Sequence, residues 1–570
     1  MPITDIVADM PLQDFILSSN TSACVIRRNN FLNPEIRDNP NIRLGKVLNG
    51  NYMICYARND MYDTILEDTR IFHRSVLCGL LAQIDLETTG ISSIQQLPSL
   101  NLRGEGVLLG FVDTGIDYRN DAFRWENGET RIVSMWDMTV HGNPPETFNF
   151  GQEYTEEQIN AALHTSDPLN LVPFEDNVGH GTFLASVSGS REGGTYQGVA
   201  PDAEFVIVKL KEASPGYRQL YLVPEDQYNL YESTDIMLGI EYLITTARNL
   251  NRPIAICIGL GTNLTGHDGF SMLEDYITSI SHENGVALCC AAGNEVTKKR
   301  HARGEVQETG SITSVDIQVG QSGKSIYITL WNSSNDRFSV SVTSPSGETI
   351  SRPPARSGGM TTTRLILESS LVTIGYVFPY YGNGSQLTKI QIHFPTPGIW
   401  RINVYGEVVL EGPFDIWLPL GLPEAVDAEF LSPDPYYTIT VPGTAIGVIC
   451  CGAYNSRDKS LYYQSSWGPS RITSILPNLV APGVEVSGIL PSGYGVMTGT
   501  SVSAAFAQGV CALLLQWGLI NGNVTSMNTY NIRSILIQGC DRDANINYPN
   551  EQWGYGRLNL YNSFLQMRSM

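Results

Sequence analysis

The chain has 570 residues, of which 42% are apolar and 16% are charged, and its formal net charge is −21. This composition is typical of a folded globular protein and excludes a disordered or fibrous chain. Nucleic-acid-binding proteins usually carry a basic face, so we expect no nucleic-acid partner for such an acidic chain. No uninterrupted apolar run has the length of a membrane span, and the overall length suggests roughly three or four domains.

The N-terminal sequence and the cysteines indicate the cellular compartment of the protein. Residues 1–9 contain no basic region followed by an apolar run, so we see no secretory signal peptide and expect an intracellular protein. The ten cysteines include no CxxC pair, and most lie inside apolar runs. Free thiols in such runs behave as small hydrophobic side chains, so we expect neither disulfides nor a zinc site.

Residues 1–96 form the first predicted unit, an α+β module. Strand-like runs occur at 23–26 and 52–57, and helices are predicted near 60–67 and 73–83. The segment 92–100 contains a proline and is predicted to be an extended linker.

An α/β pattern occupies residues 97–297 and returns at 441–570. Continuous apolar runs such as 107–112 and 285–290 are typical of strands buried on both faces. Helical segments alternate with these runs, which predicts a parallel sheet with right-handed crossovers.

Residues 298–440 interrupt the α/β pattern with short segments of alternating polarity. Such segments, separated by Gly, Pro and Asn turns, are typical of an antiparallel β-sandwich. The interruption is long enough for an eight-stranded jelly roll, so we predict a β domain inserted into the α/β domain.

Four polar residues stand at strand or helix ends of the α/β part. Asp113 and Asn294 follow apolar strands, and open α/β sheets place their sites at the carboxyl ends of strands. His180, between two glycines, and Ser501 each begin a predicted helix. Taken singly, these residues are typical of turns or helix caps. A serine at a helix start is most often a cap.

Together the four residues supply the groups needed for acyl transfer. A serine hydroxyl attacks well only when an imidazole takes its proton, and a carboxylate holds the imidazole in the correct tautomer. Asn294 and the backbone N–H of Ser501 can then donate to the oxyanion of the intermediate.

At these residues the sequence resembles the subtilisin-like serine proteases (subtilases), over about 105–297 and 441–565. The resemblance implies a subtilisin-like three-layer fold with Asp113, His180 and Ser501 as catalytic triad and Asn294 in the oxyanion hole. It also implies that the substrate backbone pairs with a strand containing Gly259, Leu260 and Gly261. No cofactor or metal site is predicted. Calcium occurs in the family, but the sequence indicates no ligands for it.

The domain layout narrows the resemblance to the clostridial Csp germination proteases. This resemblance implies that residues 1–96 are a prodomain, an intramolecular chaperone that stays bound in the cleft. It implies location in spores, a protein substrate that is the zymogen of a cortex-lytic enzyme, and self-processing, which we place within 94–99. We expect the β insertion to make the protease domain more rigid.

Other functions fit the sequence less well. A general intracellular subtilase and a non-catalytic germination-signalling pseudoprotease stay open as alternatives. An aspartic protease would need a second Asp-Thr-Gly or Asp-Ser-Gly, which the sequence lacks. A lipase or esterase would carry Gly-x-Ser-x-Gly and the triad order Ser, acid, His, and the sequence has neither.

Overall fold

The computed structural model describes residues 10–31, 33, 36, 39, 41–59, 71–81, 101–191, 197–422, 427–472 and 474–567. The helix predicted near 60–67, the linker at 92–100 and the cleavage region at 94–99 lie outside these residues.

The first unit is a small antiparallel sheet with a short helix. Its elements are α1 (Leu12–Ile16), β1 (Thr21–Arg27), β2 (Ile42–Leu48), β3 (Tyr52–Arg58) and β4 (Phe72–Arg74), with the sheet in the order β2-β3-β1-β4. Strand β5 (Leu77–Leu80) leaves this sheet. The helix predicted near 73–83 is therefore wrong, because β4 and β5 occupy that segment.

The α/β domain follows with alternating strands and helices. Its strands before the insertion are β6 (Leu108–Asp113), β7 (Ile132–Asp137), β8 (Gln152–Thr155), β9 (Glu204–Lys209), β10 (Leu230–Glu232), β11 (Ile254–Ile258), β12 (Leu260–Gly261) and β13 (Val286–Ala291). Its helices there are α2 (Glu156–Leu163), α3 (His180–Gly189), α4 (Pro215–Leu220), α5 (Ser233–Asn249) and α6 (Met272–Ile280).

The insertion is an antiparallel β-sandwich, as the alternating pattern predicts. Its strands are β14 (His301–Glu305), β15 (Ile312–Val319), β16 (Ile326–Asn332), β17 (Arg337–Thr343), β18 (Met360–Arg364), β19 (Leu371–Val377), β20 (Gln386–His393), β21 (Gly398–Val408), β22 (Pro413–Trp417) and β23 (Ala428–Phe430). One sheet has the order β14-β22-β16-β20-β19-β18 and the other β17-β21-β15-β23. Inward-facing apolar side chains such as Ile328, Val340 and Trp400 form a core of its own.

The last part of the chain completes the α/β domain. It contributes β24 (Ile449–Tyr454), β25 (Leu479–Pro482), β26 (Val486–Leu490), β27 (Gly493–Met497), α7 (Thr500–Leu515), α8 (Thr529–Gly539) and α9 (Leu560–Met567). The main sheet has the order β25-β24-β13-β11-β6-β9-β7-β8, and its pairs are parallel except for β7 with β8. The predicted α/β fold with a parallel sheet is confirmed.

Helices cover both faces of the main sheet. Helices α3 and α7 pack on one face, and α5 and α6 pack on the other. The first unit adds apolar residues, among them Val25 and Ile54, to the layer formed by α5 and α6. The segment Thr500–Ile520 has the length and composition of a membrane span, but 83% of its most apolar window is buried, as in a core helix.

Candidate active site

Asp113 and His180 form a buried pair at the carboxyl end of the main sheet. Asp113 is the last residue of β6, and His180 is the first residue of α3. The Nδ1 atom of His180 lies 2.7 Å from Oδ1 of Asp113. Both side chains are almost fully buried. The backbone N–H of Thr114 also donates to this carboxylate oxygen, at 2.8 Å, so the carboxylate is held in position to orient the ring.

Small residues allow the start of α3 to lie directly on the loop that follows Asp113. A Cβ atom at Gly181 would collide with the carbonyl oxygen of Gly115. The Gly181 N–H donates to Oγ1 of Thr114 at 2.9 Å. Gly179 precedes the helix with a φ of 88°, a conformation that favours glycine. Gly181 therefore allows the close approach of α3 to this loop, and Gly179 supplies the left-handed backbone that precedes the helix.

Ser501 is the second residue of α7 and is fully buried. The N-cap position belongs to Gly499, so Ser501 does not cap the helix. The Ser501 hydroxyl donates to the carbonyl oxygen of Gly259 at 2.7 Å. A Cβ atom at Gly259 would lie 3.1 Å from Cε1 of His180 and 3.2 Å from Cβ of Ser501, so these two side chains flank one glycine.

The second ring nitrogen of His180 is buried and has no hydrogen-bond partner among the described residues. The serine and the imidazole are thus brought together, but the serine hydroxyl points to Gly259 instead of to this nitrogen. Catalytic hydrogen bonds often align only when substrate is bound. A rotation about χ1 of Ser501 redirects its hydroxyl from Gly259.

Ser501 and Asn294 both have contacts at the start of α7. The backbone N–H of Ser501 donates to the carbonyl oxygen of Leu81 at 2.6 Å. Oδ1 of Asn294 accepts from the Thr500 N–H at 3.1 Å, which leaves the amide NH₂ of Asn294 as its donor group. The Gly293 N–H in turn donates to Oγ1 of Thr500 at 2.9 Å, which ties the asparagine loop to the start of α7.

Strand β5 of the first unit lies in the cleft beside these donors. It forms the middle of a three-stranded antiparallel sheet in the order β10-β5-β12. Leu260 pairs with Leu80, and Gly261 pairs with Gly79. The structure therefore brings Gly259, Leu260 and Gly261 together with the other predicted site residues, and Leu81 follows the paired strand directly.

Several cleft residues escaped sequence analysis. These residues belong to no local motif, and they reach the cleft only through contacts with distant parts of the chain. They are Leu81, Thr440, Leu420 and Leu422. Thr500 could have been found, since it precedes Ser501 in the same motif.

A buried cysteine lies next to the serine. Sγ of Cys257 lies 3.9 Å from the Ser501 carbonyl oxygen, and burial together with the nearby Asp113 raises the pKa of this thiol, so it stays protonated. All ten cysteines are buried and free of disulfides. Within the described ranges, no group of three or more His, Cys, Asp or Glu could hold a metal ion, and the absence of a cofactor stays a prediction.

Comparisons with known proteins show similarity to subtilases. The subtilase family model (peptidase S8) matches residues 104–363 and 431–556. The solved CspB protease of Clostridium perfringens is 30% identical, with a TM-score of 0.75 over 84% of this chain and 98% of that one.

Two curated proteins match shorter stretches. The subtilisin-like protease SBT2.1 of Arabidopsis thaliana is 32% identical over 126 residues, 19% of this chain and 15% of that protein. The subtilase-type proteinase RRT12 of Saccharomyces cerevisiae is 27% identical over 139 residues, 21% of this chain and 26% of that protein. The chain thus spans about a quarter or less of these curated relatives. From the family match over most of the α/β domain, together with its fold, we conclude that the chain belongs to the subtilases, a family of serine endopeptidases.

Proposed function

We propose that the chain is an Asp–His–Ser endopeptidase that cuts off its own N-terminal unit and is then blocked by it. One observation carries this proposal. The Leu81 carbonyl oxygen accepts the Ser501 N–H at 2.6 Å, at the end of a strand paired on both edges with the cleft. This is the position of the acyl group of a bound substrate or product.

In the proposed reaction, the Ser501 hydroxyl turns from Gly259 to the unpartnered ring nitrogen of His180, which takes the proton as the oxygen attacks the carbonyl. Asp113 holds the other ring nitrogen, 2.7 Å away, and stabilises the imidazolium. The Ser501 N–H and the Asn294 amide stabilise the oxyanion. His180 then protonates the leaving amine, and water releases the acyl group from Ser501.

We place self-processing after Leu81, between Leu81 and Ala82. This bond lies earlier in the chain than the 94–99 segment favoured by the sequence. The contact of the Leu81 carbonyl with Ser501 supports the earlier bond. After cleavage, β5 would keep its pairing with β10 and β12, so the first unit would act as an inhibitor bound like a product.

A comparison of wild type with Ser501→Ala tests the activity. We expect wild type to be cut into a fragment ending at Leu81 and a fragment beginning at Ala82, which intact mass and N-terminal sequencing identify. Ser501→Ala should stay whole. Ser503→Ala is a matched control, because the Ser503 hydroxyl donates to the carbonyl oxygens of Ala481 and Pro482, at 3.0 and 3.2 Å. The control should process normally.

A fragment that persists in Ser501→Ala would contradict self-processing. Wild-type protein that is neither processed nor labelled by a fluorophosphonate would favour the non-catalytic pseudoprotease. A fragment ending within 94–99 would support an active protease but reject the Leu81 bond.

The germination role rests on the likeness to the CspB protease over 98% of that chain. We propose that the processed enzyme activates the zymogen of a spore cortex-lytic enzyme. Purified zymogen incubated with wild type should lose its pro-segment, and incubation with Ser501→Ala should leave it intact. A general intracellular subtilase would instead degrade an unrelated unfolded protein, such as casein, as readily as it cuts the zymogen.

A further inference from the structure

Gly79 lies third from the end of the cleft-bound segment, counted back from Leu81. Its backbone is paired on both sides, with Gly261 of β12 and Leu230 of β10. A strand fixed at both edges cannot shift sideways without breaking these pairs. The side chain at this position must therefore fit the space that the neighbouring residues leave.

That space is closed by two leucines of the inserted β domain. A Cβ atom at Gly79 would lie 2.5 Å from Cδ1 of Leu422 and 3.3 Å from Cδ1 of Leu420. Both leucines belong to the segment 418–422, which follows β22 of the sandwich. Leu420 is buried, and Leu422 packs in a cluster with Leu77.

The same segment is anchored to the catalytic loop. The Gly421 N–H donates to both carboxylate oxygens of Glu295, at 3.3 and 3.2 Å. Glu295 directly follows Asn294, is buried, and also accepts from the Asn263 amide at 2.9 Å. Since Gly421 lies between Leu420 and Leu422, this anchor holds the two leucines over the cleft.

We propose that Leu420 and Leu422 make the inserted domain a specificity device that selects glycine over larger residues at the third residue before the cleaved bond. This inference rests on the proposed protease function. A methyl group at that position must displace Leu422, and a branched side chain must displace the anchored segment as well. Discrimination of this kind comes from steric exclusion of the wrong substrate.

Self-processing of the full chain measures this selectivity directly. We expect Gly79→Ala to slow cleavage after Leu81 by about tenfold, and Gly79→Val to slow it by roughly a hundredfold. Adding Leu420→Ala and Leu422→Ala should bring the Gly79→Val chain back to within about threefold of wild type. Such rescue distinguishes a steric block from damage to the first unit.

Peptides give a second measurement that does not need the substituted first unit to fold. Once the first unit has dissociated, the processed wild-type enzyme should cut Leu-Cys-Gly-Leu-Leu-aminomethylcoumarin at least about tenfold faster, in kcat/KM, than the peptide with Val in place of Gly. The Leu420→Ala/Leu422→Ala enzyme should cut the two peptides about equally.

Equal processing of wild type and Gly79→Val, or equal cleavage of the two peptides by wild type, would overturn the inference. So would full discrimination by the double alanine variant. Failure of the protease function looks different, because wild type itself would then neither process nor react with a fluorophosphonate.

Discussion

Thr440 lies between two glycines that border the cleft. A Cβ atom at Gly261 would lie 2.5 Å from Oγ1 of Thr440 and 2.8 Å from Cδ1 of Leu81. A Cβ atom at Gly293 would lie 2.6 Å from Cγ2 of Thr440. Thr440 is fully buried, and its N–H donates to the Ala292 carbonyl oxygen at 2.8 Å. The threonine thus limits the space beside the Leu81 side chain.

We predict that Thr440 sets the size limit for the residue before the cleaved bond. Leu81→Phe should slow self-processing, and Thr440→Ala should recover about tenfold of that loss by making room for the ring. The rate of fragment release, followed by gel electrophoresis, measures both effects. Thr438→Ala is the control, since the Thr438 hydroxyl bonds the Pro435 carbonyl oxygen instead. No recovery in Thr440→Ala, or equal recovery in the control, would contradict the prediction.

For single residues, the sequence predicts which groups react but not how they are oriented. Asp113, His180, Asn294 and Ser501 sit in short motifs next to strand or helix ends, and the main sheet brings such ends together. The direction of the Ser501 hydroxyl depends on Gly259, and the acceptor of its N–H is Leu81 of another unit. No local pattern encodes contacts of that kind.

The sequence predicts the wrong secondary structure where a strand pairs only with strands that are distant in the chain. The segment Leu77–Leu80 is short and apolar, so its pattern fits a helix as well as a strand. It becomes a strand because β10 and β12, far later in the chain, offer their edges. The apolar runs 107–112 and 285–290 form β6 and β13 of the main sheet, as predicted, whereas β7 and β8 lie in segments for which no strand is predicted.

Helix α6 begins with a capping box that contains a buried acid. The Ser271 hydroxyl accepts the Glu274 N–H, and the Glu274 carboxylate accepts the Ser271 N–H at 3.0 Å. The other carboxylate oxygen accepts the Thr444 hydroxyl. Burial, with a smaller contribution from Asp268, raises the pKa of Glu274 to about 7 from its ordinary 4.5.

This acid predicts a pH-dependent stability. Between about pH 4.5 and 7 the folded protein keeps a proton on Glu274 that the unfolded chain has lost. The contribution of Glu274 to the free energy of unfolding therefore decreases as pH rises through this window, by roughly 3 kcal/mol in total. Glu274→Gln cannot ionise, so its melting temperature should rise relative to wild type from pH 5 to 8. A constant difference over this range would refute the prediction.

In the whole molecule, one carboxylate joins the three structural units. Asp275 of α6 accepts the Tyr52 hydroxyl of the first unit at 3.0 Å and the Tyr381 hydroxyl of the inserted domain at 2.8 Å. It also pairs with Arg27 of the first unit. The Arg27 guanidinium lies 4.5 Å from the ring centroid of Tyr381, and the His73 ring lies 4.5 Å from the same ring. Tyr381 thus connects the insertion to the first unit.

We predict that this junction keeps the cleaved first unit in place. Tyr381→Ala removes the hydrogen bond to Asp275 and the stacking on Arg27, contacts worth about 1–2 kcal/mol together. The first unit should then dissociate about tenfold faster from the processed enzyme, as measured by the exchange of a fluorescently labelled copy. Cleavage of the peptide Leu-Cys-Gly-Leu-Leu-aminomethylcoumarin should also begin about tenfold sooner, because dissociation of β5 opens the cleft.

Tyr405→Ala is the matched control, since Tyr405 also stacks on an arginine, with Arg352 4.7 Å from its ring. Tyr405 lies on β21, whereas Tyr381 lies between β19 and β20, which belong to the other sheet of the sandwich. If destabilisation of the sandwich alone caused release, both variants would release the first unit faster. If pairing of β5 alone held the first unit, neither would. Faster release in Tyr381→Ala only would mean that the insertion contributes to inhibition through Tyr381, besides any contact that Leu420 and Leu422 make with the cleft strand.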